Sequence, residues 1–443
     1  MSPRRGGIRE MWLEAGTPAR VALPAVAIDC IGTGLVLPFY VVYFRDVRHI
    51  PVTHIGFLVA LPFVLSAIAS GPVGSVVDRI GVRTVLVLSM LSLAGAQILM
   101  SAAETELAIA VALAVLGLGF VGQAVALMTF LGSVLPSSLR QRYFGLRFAT
   151  MNLGMAFGGV VSGLFVSLGR PSSFSQVFLG DSASYLIALA IFLAAIGLHR
   201  PVIEPVADDG DDGPPVRGYG VVLRDPVTIP LVGLALLIGV VGYTQLNVGF
   251  PAFARSVGAT PRTLGVAFAA NGVVIVLAQL AVVSRLGGVR RTRALALVAA
   301  LWFVVWGLVG LTQVVGSGTA IAVMLVGSSA IFALGETLLQ PTLPAITNDV
   351  ATDEVRGRYN ALVAGAEQAS FVLGSVIAGL LIGQGARTAY VVLLCGGCLG
   401  VALLATRVLE RRLDPVANGL RPALVVQPVD PSPEADGTAL PRV

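Results

Sequence analysis

The sequence predicts an all-α integral membrane protein whose twelve transmembrane helices form two pseudo-symmetric six-helix bundles. Three observations carry that expectation. First, 56% of the 443 residues are hydrophobic and only 12% are charged. A soluble protein carries about 25% charged residues, and mean hydropathy here is +0.88. Second, the apolar residues fall into repeated runs long enough for helices to cross a bilayer, which takes about 20 residues; a barrel strand would need only about 10. Third, the two halves of the chain repeat. Arg140-Gln141-Arg142-Tyr143 and Arg356-Gly357-Arg358-Tyr359 lie 216 positions apart, and the same offset pairs Leu146 with Leu362, Gly158 with Gly374, Gly163 with Gly379 and Gly119 with Gly335.

In chain order, residues 1–19 are polar and Arg-rich, with no small-residue cleavage site behind an apolar stretch. They read as a cytoplasmic N-terminus rather than a signal peptide. The predicted spans are 20–44, 53–77, 84–102, 107–135, 143–168, 175–199, 227–254, 263–284, 294–314, 318–347, 358–384 and 387–409. Several are longer than a bilayer needs, which implies tilt or extension beyond it. Between the sixth and seventh, residues 200–226 carry Asp208-Asp209-Gly210-Asp211-Asp212-Gly213-Pro214-Pro215, a run too polar to bury a core. They read as a cytoplasmic linker joining an N-terminal bundle (1–199) to a C-terminal bundle (227–412). Residues 413–443 are Pro-rich and expected to form a disordered cytoplasmic tail.

Orientation follows from the basic residues, all of them Arg. With the N-terminus inside, inner segments hold 23 Arg and outer loops 6. Such an excess marks the cytoplasmic side, so both termini are expected inside a plasma or inner membrane. The pI near 9.4 reflects these loops and does not suggest nucleic acid. Cys30, Cys395 and Cys398 all lie in apolar runs. Cys395-Gly-Gly-Cys398 has metal or redox spacing, but without an accompanying His or second pair it reads as helix packing.

The most specific motif lies between spans two and three: Gly74-Ser75-Val76-Val77-Asp78-Arg79-Ile80-Gly81-Val82-Arg83. Gly81 permits a tight turn. Gly74 would let a neighbouring helix approach closely. Asp78 ends one helix, and Arg79 and Arg83 open the next, where they can bridge helices or bind a terminus. The pattern resembles the loop 2–3 signature of the major facilitator superfamily. That resemblance implies the family's transporter fold over about residues 20–410 and a gating role for Gly74, Asp78, Arg79, Gly81 and Arg83, not contact with cargo. Ser284–Arg290 is a weakened copy in the second half, lacking the Asp and one residue longer. Parallel repeats of this kind place substrate at their interface near the bilayer midplane.

Carboxylates inside a bilayer cost about 2.5–3.5 kcal/mol each on insertion scales, so they should face a wet cavity or a partner. Asp29, Glu336 and Glu367 lie well inside spans one, ten and eleven, and are the candidate proton-coupling groups. Asp181, nearer the outer end of span six, reads as structural. The resemblance implies that helices 1, 4, 7 and 10 line the cavity, which places Asp29, Gln123, Gln245 and Glu336 there, with Asp29 and Gln245 paired by the repeat. Asn152, Tyr243, Asn247 and Asn271 complete the candidate cavity. Helix 1 reads Asp29-Cys30-Ile31-Gly32-Thr33-Gly34-Leu35-Val36-Leu37-Pro38. It resembles the Asp-x-x-Gly-x-Gly-x-x-x-Pro stretch of drug:proton antiporters, in which the glycines and proline would soften the helix and Asp29 would exchange a proton. Glu336, ahead of Pro341 and Pro344, suggests an exposed cavity position in a bent helix. Helix 4 has Phe120-Val121-Gly122-Gln123-Ala124, keeping only the Gln of the antiporter pattern. Helix 5 keeps its Gly spacing with Gly159 in place of Pro. Arg147 is expected to snorkel to the cytoplasmic face, with substitution for the missing Arg as a mobile cation partner as the alternative.

The reading is a secondary transporter, not an enzyme: a monomer in the bilayer that exports small apolar or amphiphilic molecules against proton entry. It has no cofactor, metal or catalytic residue. A symporter or a metabolite or siderophore transporter of the same fold is the alternative. A membrane sensor would be expected to carry a folded extramembrane domain. For a membrane enzyme, no nucleophile–His–Asp set or phosphate loop is found, and His49, His54 and His199 meet no acid within the membrane.

Overall fold

The computed structural model describes residues 12, 14–198, 220–285, 289–352 and 355–420. His199, the acidic run of the expected linker and residues 421–443 of the expected tail lie outside the described residues. Among the described residues, twelve helices are long and apolar enough to cross a membrane. They are α1 (Gly16–Val47), α2 (Val52–Ile80), α3 (Val82–Ala102), α4 (Glu106–Val134), α5 (Ser137–Phe165) and α6 (Ser172–Gly197), then α7 (Thr228–Ser256), α8 (Pro261–Arg285), α9 (Arg291–Leu311), α10 (Gly318–Val350), α11 (Arg356–Gly383) and α12 (Arg387–Leu409).

Local chemistry sets the ends. Thr105 and Ser317 cap α4 and α10 by accepting hydrogen bonds from the amides of Ala108 (3.2 Å) and Ala320 (3.4 Å). Such caps satisfy donors that the helix leaves unpaired. Gly81, at φ +83°, alone separates α2 from α3. The helix 5 boundary moves: Pro136 precedes a start at Ser137 rather than 143, because the polar turn before the bilayer is already helical. Pro341 and Pro344 sit inside α10 without ending it. Two helices change winding. A 3₁₀ turn at Leu37–Phe39 and a π turn at Tyr43–Val47 interrupt α1. In α7 regular winding stops at Gly242 (φ −112°, ψ −104°) and resumes through a π turn, Gln245–Gly249.

The helices pack as two bundles. In the first, α1 lies against α5 and α6, α3 against α4 and α6, and α2 against α4; in the second, α8 and α9 lie against α10, α12 against α9, and α7 against α11. The repeated glycines occupy equivalent crossings. A Cβ at Gly158 would strike α1 and one at Gly374 would strike α7; one at Gly119 would strike α3 and one at Gly335 would strike α9. Tyr143 Oη donates to Ala19 O at 2.8 Å, while its counterpart Tyr359 donates to Asp225, just before α7.

The halves meet along two seams, α2 with α11 and α5 with α8. Both use glycine on each side: a Cβ on Gly163 would lie 2.8 Å from Gly265 Cα, and one on Gly56 would lie 2.9 Å from Gly379 Cα. Only backbones without side chains approach so closely. Large apolar residues are exposed within the spans, such as Leu277 of α8 (73% exposed), as a lipid-facing surface requires. The described ion pairs sit at helix ends.

Two expectations about the chain's ends are corrected. Residues 413–420 are not a loose tail: Leu413, Ala417 and Asn418 are buried. Asn418 caps α9 by accepting from the Thr292 amide at 3.0 Å, and Arg290 binds Glu410. Within the linker, Gly220–Arg224 forms a short helix leading into α7. The C-terminal segment finds unpaired helix-end groups of α9 to satisfy, which composition does not reveal.

Candidate functional site

Two adjoining cavities lie along the seam between the halves. The larger, of about 710 Å³, is walled by the first bundle and by Ala361, Ala364, Gly365 and Gln368 of α11. The smaller, of about 220 Å³, is walled by α1, α5, α7, α8 and α10. Leu37, Met151 and Met155 border both, so flexible thioether side chains form the partition. The sequence had suggested one cavity.

Asp29 and Gln123 line the larger space. Gln123 Nε2 donates to Asp29 Oδ2 at 2.9 Å, and Asp29 Oδ1 is buried without a partner. Arg147 lines the same space. Its Nε is buried and unpartnered, so the expected snorkelling to the membrane face is corrected. The α5 register turns Arg147 toward Asp29, within electrostatic reach of it. Aliphatic and aromatic residues, among them Phe63, Leu113, Phe120 and Leu127, form most of the wall.

The smaller space gathers Glu336, Asn152, Tyr243, Asn247 and Asn271. Glu336 is 8% exposed, not an open position, and accepts from Asn271 Nδ2 at 3.5 Å. Tyr243 Oη accepts from Gln340 Nε2 at 2.6 Å, and its ring meets Trp302 edge-on. Asn152 and Asn247 donate to carbonyls of their own helices.

Other expectations shift. Gln245 lines neither cavity: its Nε2 donates to Val240 O (2.8 Å) and Gly374 O (3.2 Å), and its Oε1 accepts from Tyr390 Oη (2.8 Å). The π turn rotates it onto α11, away from its repeat mate Asp29. Glu367 is exposed and lines neither cavity, and its carboxylate has no partner among the described residues. Gly32 and Gly34 serve packing: a Cβ on Gly32 would strike Ser184 and Asp181 of α6, and one on Gly34 would strike the Met155 backbone of α5. Pro38 does change the winding of α1. Sequence reasoning passed over Gln97, Tyr40, Gln340 and Gln368; a polar side chain in an apolar run was the available signal.

The charged residues of the α2–α3 turn line neither cavity. Gly81 makes the expected break, but Arg79 belongs to the last turn of α2 and only Arg83 opens α3. Asp78, Arg79 and Arg83 are exposed, with no ion pair among the described residues. Gly74 has open space where a neighbour was expected, because the halves stand apart at this end. At the opposite end they are closed. Arg255 of α7 pairs with Asp46 of α1 at 2.7 Å, Arg45 Nη1 donates to Ala252 O at 3.2 Å, and the glycine seams lie on the same side.

Two six-helix bundles around a seam cavity, joined along α2–α11 and α5–α8, match a known architecture. The family model described as Major Facilitator Superfamily matches residues 22–312 and 232–427. The chain belongs to the major facilitator superfamily. Within it, the chain resembles the drug:proton antiporters, and its twelve apolar helices make it a multi-pass membrane protein of a transporter family. It is 30% identical to the class C tetracycline resistance protein of Escherichia coli over 173 residues, 36% of this chain and 41% of that one. It is 24% identical to the uncharacterized MFS-type transporter YttB of Bacillus subtilis (strain 168) over 57% of this chain and 59% of that one. The chain thus spans about half the length of the curated relatives it matches. Among solved structures, the nucleoside transporter NupG superposes with a TM-score of 0.70 at 11% identity, covering 89% of this chain and 100% of that one. The D-xylose-proton symporter gives 0.66 at 14%, covering 87% and 96%. These likenesses show the shared fold.

Proposed function

We propose that this superfamily member is a proton-coupled exporter of small apolar or amphiphilic compounds, working as a monomer by alternating access. The observation that carries the reading is the larger cavity. Its volume suits a drug-sized molecule, since ligand pockets run about 300–1,000 Å³, and its apolar wall holds the Asp29 carboxyl group. The excess of Arg on the N-terminal side supports a cytoplasmic N-terminus and α2–α3 turn. The structure then corresponds to the state that receives cargo from inside, shut externally by the Asp46–Arg255 pair and the glycine seams. Relatives named for tetracycline resistance fit export of an amphiphilic drug.

In this reading Asp29 is the leading proton carrier, with Glu336 and Glu367 as further candidates. Cargo occupies the larger cavity and reaches the amides of the smaller one once Met151 and Met155 move. Each charge that crosses a potential of ~100 mV releases about 2.3 kcal/mol, enough for roughly a fifty-fold gradient of a neutral cargo. The α2–α3 turn then engages as the inner ends close, which gives Asp78, Arg79 and Arg83 their partners.

Inverted vesicles containing the protein test this with tetracycline and a panel of amphiphilic dyes, with and without an interior-acid pH gradient. Accumulation that requires the gradient is expected for members of the panel. Accumulation that survives a protonophore would remove proton coupling.

A further inference from the structure

Asp181 of α6 has no part in the cycle just described, yet its surroundings are built around it. It is fully buried and borders the larger cavity. A Cβ at Gly32 would strike its Oδ1 and stand 2.7 Å from Ser184 Cβ. So α1 lacks a side chain where α6 presents a carboxyl group, and Asp29 lies one helical turn before that gap. Gln97 Nε2 of α3 donates to Asp181 Oδ2 at 2.5 Å and to Tyr40 Oη at 2.6 Å. Ser184 Oγ lies 3.3 Å from Asp181 Oδ1.

No cation pairs with Asp181 among the described residues, and a buried anion without counter-charge is costly. The titratable groups facing it are Asp29, Cys30 and Tyr40 from α1 and Tyr185 on its own helix; α3 offers the neutral Gln97. Asp29 Oδ1 and Gln97 Oε1 are buried without partners. Such orphaned acceptors are expensive unless a donor arrives, and a protonated carboxyl group is a donor.

We propose that Asp181 is a second proton-carrying carboxyl group, working with Asp29 across the α1–α6 crossing, rather than a packing residue. This rests on the proton-coupled reading above. Each group adds a proton from water to a carboxylate oxygen, giving –COOH, and later returns it to water; no other bond changes. Gln97 is its positioning residue.

Infrared difference spectra of the purified full chain, acid minus alkaline, read protonated carboxyl groups directly. Wild type should show a carbonyl band that Asp181→Asn removes and that Asp29→Asn shifts. Gln97→Leu leaves the carboxyl group in place and should shift the same band, which keeps the test open if Asp181→Asn does not fold. In vesicles Asp181→Asn should lower the steepest gradient-driven accumulation about fifty-fold per ~100 mV, the share of one proton. Bands unchanged in both variants would overturn the proposal while leaving coupled transport standing. Wild-type vesicles indifferent to the pH gradient would overturn both.

Discussion

The proposed role of Glu336 joins binding to charge. Glu336 is nearly buried at the wall of the smaller cavity, with Asn271 at 3.5 Å and Tyr243 and Asn247 on the same wall. A hydrogen bond to a charged group contributes about 1.5–3 kcal/mol. Glu336→Gln keeps the shape and removes the charge. It should therefore weaken cargo binding by about tenfold or more and flatten its dependence on pH, as equilibrium binding to the purified variant would show. An unaltered isotherm would remove Glu336 from the site. Asp29 and Glu336 were legible in the sequence because a carboxylate in an apolar run is expensive anywhere but at a cavity. Arg147 and Gln245 were not. Depth along a span says nothing about which face a residue occupies, and a π turn changes the face without changing the composition.

Among the elements, the glycines tell most. The repeat offset marked Gly163 and Gly379 as equivalent, and both lie in the seams where the halves touch; Gly158 and Gly374 hold α1 and α7 close to their partners. The sequence showed the repeat but could not say which glycines face another helix. In α1 the softening expected of Gly32 and Gly34 gave way to close packing, because each faces a neighbouring helix. The α2–α3 turn behaves oppositely: its Gly81 takes the positive φ of a tight turn as expected, but its charged residues make no ion pair among the described residues. Under the proposed gating role, Asp78→Asn or Arg83→Ala should cut turnover several-fold and leave cargo affinity within about twofold, since a loop that acts only on closure does not touch binding. Weaker binding with a normal saturated rate would reverse that assignment.

At the scale of the whole molecule, twelve spans and two bundles could be read from hydropathy and repetition alone. Which end is shut could not, because one sequence encodes every state of the cycle. The structure supplies that: α1 and α7 are locked by Asp46 and Arg255 at one end, while the other end opens toward the α2–α3 turn. The split of the central space into two cavities was equally hidden, since Leu37, Met151 and Met155 look like ordinary core residues. The central claim is that proton movement through Asp29 drives the exchange of these two closures. The most direct measurement compares uphill and downhill transport by Asp29→Asn in the same inverted vesicles. Coupling through Asp29 predicts that gradient-driven accumulation falls by at least the share of one proton, about fifty-fold per ~100 mV, while exchange of labelled for unlabelled cargo persists. Full pH-driven accumulation in that variant would contradict it.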